Sequence, residues 1–151
     1  MSVYTVSRSN VALSTSNDLL TITPAANRRV QIIEISVAGM GTASAANELG
    51  VYDVTTAGVT GSGALTPTKL DRFAPSPAST VNSAWTTQPV VGGEILSLGV
   101  NSNGGIYRWV ARPGEEINVT GSATTNFQLS LRAAVGSGNV SVHVVFSEDP
   151  L

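Results

Sequence analysis

Apolar and polar residues alternate with a period of two along most of this chain, the spacing that puts residues i and i+2 on one face of a strand. The pattern is cleanest near the end. Over residues 127–135, Phe127, Leu129, Leu131, Ala133 and Val135 are expected to point inward and Gln128, Ser130 and Arg132 outward. A turn at Gly136-Ser137-Gly138-Asn139 follows, and then Val140, Val142, Val144 and Phe146 make a core face, with Ser141, His143 and Ser147 outward on an edge-like strand. Earlier, residues 3–6 and 11–13 are short β-prone pieces, and 19–23 ends at Pro24, whose nitrogen cannot donate to a ladder. Residues 49–54 and 94–100 read as two more strands, the latter with Leu96, Leu98 and Val100 on one face.

Residues 28–39 (RRVQIIEISVAG) break the simple alternation. Val30 and Ile32 share one parity, while Ile33, Ile35 and Val37 share the other. Either both faces of this strand are buried, one of them against another subunit, or a bulge at Ile32-Ile33 shifts the register. The stretch 104–119 (GGIYRWVARPGEEINV) reads as a hairpin of strands 106–112 and 116–119 folded back at Arg112-Pro113-Gly114-Glu115. Pro presets φ at the first central position of such a turn and Gly accepts positive φ at the second. Its first strand sets Tyr107, Trp109 and Ala111 on a core face and Ile106, Arg108, Val110 and Arg112 on a mixed one.

From residue 55 to 93 the chain is rich in Gly, Pro, Ser and Thr, and only 68–73 looks strand-like. Long loops in a compact domain are usually contact surfaces. A short helical turn is conceivable at 43–48 and has no bearing on the class. About nine or ten short strands separated by turn signals, with no βαβ alternation, predict one all-β domain over residues 1–151, an antiparallel β-sandwich of jelly-roll-like type.

Composition narrows the functional classes. Charged residues are only 12% of 151, with a net charge of −2 and a pI near 5.2, so the surface is neutral and hydroxylated and offers no footprint for nucleic acid or an anionic membrane. No apolar run of signal-peptide or membrane-helix length is present, so the expectation is a chain made without a cleaved export signal. With no cysteine, disulfides and thiolate chemistry are excluded.

Candidate chemistry is sparse. His143 is the single histidine, and no Ser lies in a G-x-S-x-G elbow. Glu115 and Glu116 are adjacent, so in a strand they diverge instead of converging on a sugar. Asp18, Asp53 and Asp71 are scattered, and the glycine pairs Gly61/Gly63 and Gly136/Gly138 lack the helix and Lys of a phosphate loop. Two glycosylation-type triplets, Asn118-Val119-Thr120 and Asn139-Val140-Ser141, lie in or beside strands and match at the rate of chance. Neither a cofactor nor a metal is expected. Arg108 and Arg112 flank Trp109, with Arg132 nearby if the strands meander, and Arg and Trp are residue types that anchor protein interfaces.

The run GGIYRWVARPGEEINV, followed by NFQLSLRAAVGSGNVSVHVVFSED and set among Ser/Thr/Ala/Gly-heavy loops, resembles small β-sandwich virion proteins of tailed bacteriophages, especially head decoration (cement) proteins. The resemblance implies a non-enzymatic homotrimer, made in the host bacterial cytoplasm, that sits on the capsid surface, contacts the major capsid protein and stabilises the shell. Residues 1–16 are the candidate for an N-terminal arm. The interface residues expected on this reading are Val30, Ile32, Arg108, Trp109, Arg112 and Trp85, the last in a loop, with the 55–93 loops or the arm on the capsid. The alternative is a carbohydrate- or receptor-binding module of a tail or fibre, for which Tyr52, Tyr107 and Trp85 are the aromatic candidates.

Overall fold

The computed structural model of the chain describes residues 1–122 and 127–151, and its regular elements are all strands. One sheet is built from Ser2–Ala12 (β1), Arg28–Met40 (β3), Thr68–Lys69 (β6), Asn103–Val110 (β9), Ile117–Thr120 (β10) and Asn139–Pro150 (β12). The other contains Asp18–Thr23 (β2), Ala46–Thr56 (β4), Val59–Leu65 (β5), Thr80–Thr87 (β7), Val90–Asn101 (β8) and Leu129–Val135 (β11). The first runs in the order β10-β3-β12-β1-β6, with β9 also on β3, and the second β5-β7-β2-β11-β4-β8. Every pairing is antiparallel, and the two sheets face each other as a β-sandwich over one apolar core.

The apolar parities of β3 are reconciled by a bulge. Opposite β12, Val145 pairs with Glu34 and Phe146 with Ile32, so Ile33 is the extra residue. One residue of slip restores the alternation, and Val30, Ile32, Ile35 and Val37 all enter the core, each 2% exposed or less. Phe146, fully buried, stacks at 5.6 Å on Tyr4 of β1. The expected arm over residues 1–16 is therefore corrected. Residues 2–12 are a strand of the first sheet with Tyr4 and Val6 in the core, because their apolar parity matches that of β12 beside them.

The turn at Arg112-Pro113-Gly114-Glu115 is present, closed by Glu115 N–H on the Arg112 carbonyl at 2.9 Å with Gly114 at φ +87°. The hairpin around it is not. Both β9 and β10 pair with β3, so they are two halves of one edge strand, and residues 111–116 loop outward between them opposite the Ile33 bulge. Local turn chemistry closes the chain on itself without making the flanking strands partners. The region 55–93 also differs from expectation, since it contains β5 and β7, while the strand-like stretch 68–73 is a strand only at the two residues of β6. β5 (VTGSGAL) has little apolar signal of its own and is held by its ladder to β7. Residues 46–48, expected as the end of a helical turn, belong to β4.

The polar face of β11 is buried as well. β4 and β5 pair successively with β8 and β7, from Tyr52 opposite Glu94 to Val59 opposite Thr87, making one long ribbon. At residues 56–59 and 87–90 this ribbon bends across the outer face of the second sheet. Gln128 accepts from Gly58 N–H at 3.1 Å, and the Arg132 guanidinium donates to the Pro89 carbonyl at 2.9 Å. Beneath the bend Arg132 pairs with Asp18 at 2.6 Å, Thr21 donates to the same carboxylate, and the Trp85 indole N–H donates to Thr21 at 3.0 Å. Gln128, Ser130 and Arg132 are thus buried, not outward as their parity suggested, because the chain covers its own sheet. Removing one partner of a buried ion pair leaves the other charge uncompensated. Asp18→Ala is expected to lower stability by about 3–5 kcal/mol, read as a shift of the urea midpoint at constant slope.

Candidate interaction surface

The most exposed aromatic of the chain stands on an ordered turn. After β6 the chain makes a turn at Leu70-Asp71-Arg72-Phe73-Ala74, in which Ala74 N–H donates to the Asp71 carbonyl at 3.1 Å and Phe73 N–H donates to Asp71 Oδ1 at 2.9 Å. An Asp side chain that captures the N–H two residues on holds a turn by itself. The fold pins both ends. Leu70 N–H donates to the Val3 carbonyl, Lys69 Nζ to the Ala74 carbonyl at 2.8 Å, and the Tyr4 hydroxyl to the Pro75 carbonyl at 3.0 Å. Further along, the buried Glu148 carboxylate accepts from Ala78 and Ser79 N–H. The turn projects Phe73, 94% exposed, with Leu70 at 60% and Arg72 beside it.

A second surface lies on the outer face of the first sheet. Ser7, His143, Ser36 and Arg108 form a row across β1, β12, β3 and β9. His143 Nδ1 lies 2.8 Å from Ser7 Oγ, and both ring nitrogens are 3.2 Å from Thr5 Oγ1. This pair is not poised for nucleophilic attack. β12 is paired on both sides, so its backbone N–H groups are committed to ladders instead of an oxyanion, and the nearby Glu34 carboxylate is held by Arg108 and Ser36. His143 is a hydrogen-bonded surface histidine on an interior strand of the sheet, not an edge strand. Around the row, on and beside β9, Ile106 is 81% exposed, Met40 50% and Val110 47%.

The expected interface residues fall in different places. Val30 and Ile32 are buried in the chain's own core, so their side chains cannot meet a second subunit. Trp109 faces inward and packs on the same core, as the alternation of β9 predicts. Arg108 is on the surface but bound to Glu34 through two bonds of 2.7 Å, and Arg112 is exposed on the turn. Arg132 belongs to the opposite sheet and joins no arginine cluster. Trp85 lies in β7, not in a loop, with its ring against Gly58 and its N–H bonded.

The aromatic candidates do not converge. Tyr52 covers Gly50, and burial followed by the Glu94 carboxylate raises its hydroxyl above the usual phenol value. Tyr107 is at the rim of the other sheet. Phe73, Leu70 and Arg72 were missed because LDRF continued a strand-like alternation. The available signal was Asp71 followed by Pro75, the makings of an Asx turn. No family model, no curated protein and no solved structure matches this chain.

Glu34 is held at about 2, chiefly by its hydrogen bonds from Arg108, with Ser36 and the Arg108 and His143 charges adding to this against the effect of burial. A carboxylate depressed in the folded state stabilises the fold above its unfolded value and ceases to do so as pH falls through the folded one. Compared with Glu34→Gln, the wild-type chain should therefore show a melting advantage that is constant from neutral pH down to about 5 and fades between about 4.5 and about 2. Because Arg108 is 62% exposed, the advantage should be small and should shrink further in salt.

Proposed function

We propose that this chain is a structural subunit of a bacteriophage virion, a head decoration protein that assembles as a homotrimer on the capsid surface and contacts the major capsid protein. The observation that carries the reading is the Phe73 turn. An aromatic ring left in water on a rigid, hydrogen-bonded turn contributes nothing to the chain's own core. It is already ordered for a partner, so little conformational entropy is lost when it docks, and aromatic and Arg side chains at the centre of a contact supply most of its affinity. Phe73, flanked by Leu70 and Arg72, is assigned to the shell.

Self-association is assigned to the β9 edge and the exposed Ile106, Val110 and Met40 beside it, where the outer side of the strand is unpaired among the described residues. The 111–116 loop interrupts that edge with charge and a proline, which limits open-ended strand pairing. A surface with only 12% charged residues gives little long-range steering, so binding rests on shape and on many weak contacts. The alternative, a carbohydrate- or receptor-binding module, would draw on Tyr52, Tyr107 and Trp85; Tyr52 and Trp85 are partly covered by the chain itself, and Tyr107, though exposed, stands apart from them on the other sheet.

Light scattering at low micromolar concentration is expected to give about three times 15.5 kDa for the wild type, and a single chain for the double variant Ile106→Lys, Val110→Lys. Phe73→Ser should keep the trimer and its melting temperature and abolish co-sedimentation with phage heads. A wild-type monomer would overturn the trimer, and undiminished sedimentation of Phe73→Ser would overturn the role of the turn.

A further inference from the structure

The opposite edge of the first sheet lacks most of a strand. β1 pairs with β12 from Ser2 to Arg8 and again at Val11 and Ala12, with a bulge at Ser9 and Asn10 between, yet among the described residues it meets on its other side only β6, at Tyr4 and Thr5. Pro67 precedes β6, and since proline brings no N–H the ladder stops there and the chain turns away to β5. Beyond that point the free edge of β1 borders an open cleft of about 820 Å³, one wall of which is the continuous run Ser7 to Ser14 and the other Leu65, Ser83 and Ala84.

Arg8 projects into this cleft. It shares the inward parity of Tyr4 and Val6 and pairs with the buried Val142, so its guanidinium sits at the mouth of the sandwich. Its bond is to the Leu19 carbonyl at 2.5 Å, and no carboxylate pairs with it among the described residues. Asp18, whose residue also lines the cleft, has its carboxylate engaged by Arg132 and Thr21. A half-buried cation beside a carbonyl alone retains donors for a carboxylate, and the two-pronged Arg–carboxylate bond is among the stronger polar contacts. Val11, Leu13 and Leu65 lie only partly buried against the core and would be covered by the side chains of an added strand.

We propose that the free edge of β1 receives an extended acidic segment of a partner polypeptide, which adds as a strand to the first sheet and places an Asp or Glu against Arg8. The free ladder edge calls for a backbone with its own N–H and C=O groups. The charge of Arg8 selects an acid at one position, and the apolar floor selects β-branched or aliphatic residues on the same face of the added strand.

The test is to select a display library of random octapeptides on the full chain, synthesise the enriched sequences, and measure their binding and the amide hydrogen exchange they protect. The expected result is peptides with one acidic residue among aliphatic ones, bound at least tenfold more weakly by Arg8→Gln and by Leu65→Glu. Exchange should slow at backbone amides of residues 7–12. Phe73→Ser should bind them unchanged, so this proposal and the capsid role of the turn fail separately. Enriched peptides without an acid, equal binding by both cleft variants, protection at β9 instead of β1, or capture of an oligogalacturonate with no peptide enriched would each overturn it. Both variants are checked for a wild-type melting temperature, and either one folded suffices.

Discussion

One extra residue at Ile33 holds this sandwich together. Without it, β3 would carry Val30 and Ile32 to one face and Ile35 and Val37 to the other, and half of the strand's apolar area would stay in water. The bulge works because β12 supplies the matching step between Val145 and Phe146 and because the edge opposite is interrupted at the same height by the 111–116 loop. Backbone pairing on both sides of β3 thus accommodates a single irregularity, and four aliphatic side chains join the core together. At about 1.5–3 kcal/mol for each fully buried side chain, turning even two of them outward would remove a large part of the stability of a small domain.

The second sheet solves a different problem. Its central strand β11 has apolar residues on one face and Gln128, Ser130 and Arg132 on the other, a pattern that normally leaves the polar face in water. The β4–β5 and β7–β8 ribbon bends over that face, so its polar groups must find partners inside the protein. Asp18 with Arg132, Gln128 with Gly58 and Thr23, and Trp85 with Thr21 provide most of them, while the buried Ser130 hydroxyl has no hydrogen-bond partner among the described residues. Such a network ties loop positions to strand positions and so settles where the bend lies.

The two edges of the first sheet have unlike characters. The β9 side is exposed, apolar and broken by a charged loop. The β1 side is recessed, with an arginine at its mouth and a sister strand of only two residues. The Phe73 turn stands next to β6, outside both. The ribbon covers the outer face of the second sheet alone, so the distinctive surface features of this chain lie on the outer face of the first sheet, at its edges and on the turn beside β6.

Period-two alternation was enough to read the all-β class, the two-sheet sandwich, the inward face of β12 and the inward Trp109 of β9, because burial of alternate side chains imposes that period locally; Tyr107, expected beside Trp109, is instead exposed. The turn at Arg112 to Glu115 was legible for the same reason, since Pro and Gly carry their φ preferences wherever they sit. Whether 106–112 and 116–119 were partners was not legible: strand pairing joins residues far apart in the chain, and β3 took both. Nor did alternation reveal that Val30 and Ile32 share a face with Ile35 rather than facing a second subunit. It named a bulge as one of two solutions, and only the register against β12 chose between them. The Phe73 turn and the Arg8 cleft were hidden for a related reason, because exposure and a missing strand are properties of what lies alongside a residue in space. The local sequence determined which way each strand's side chains alternate, and the tertiary structure decided which strands met, which faces were covered and which edges stayed open.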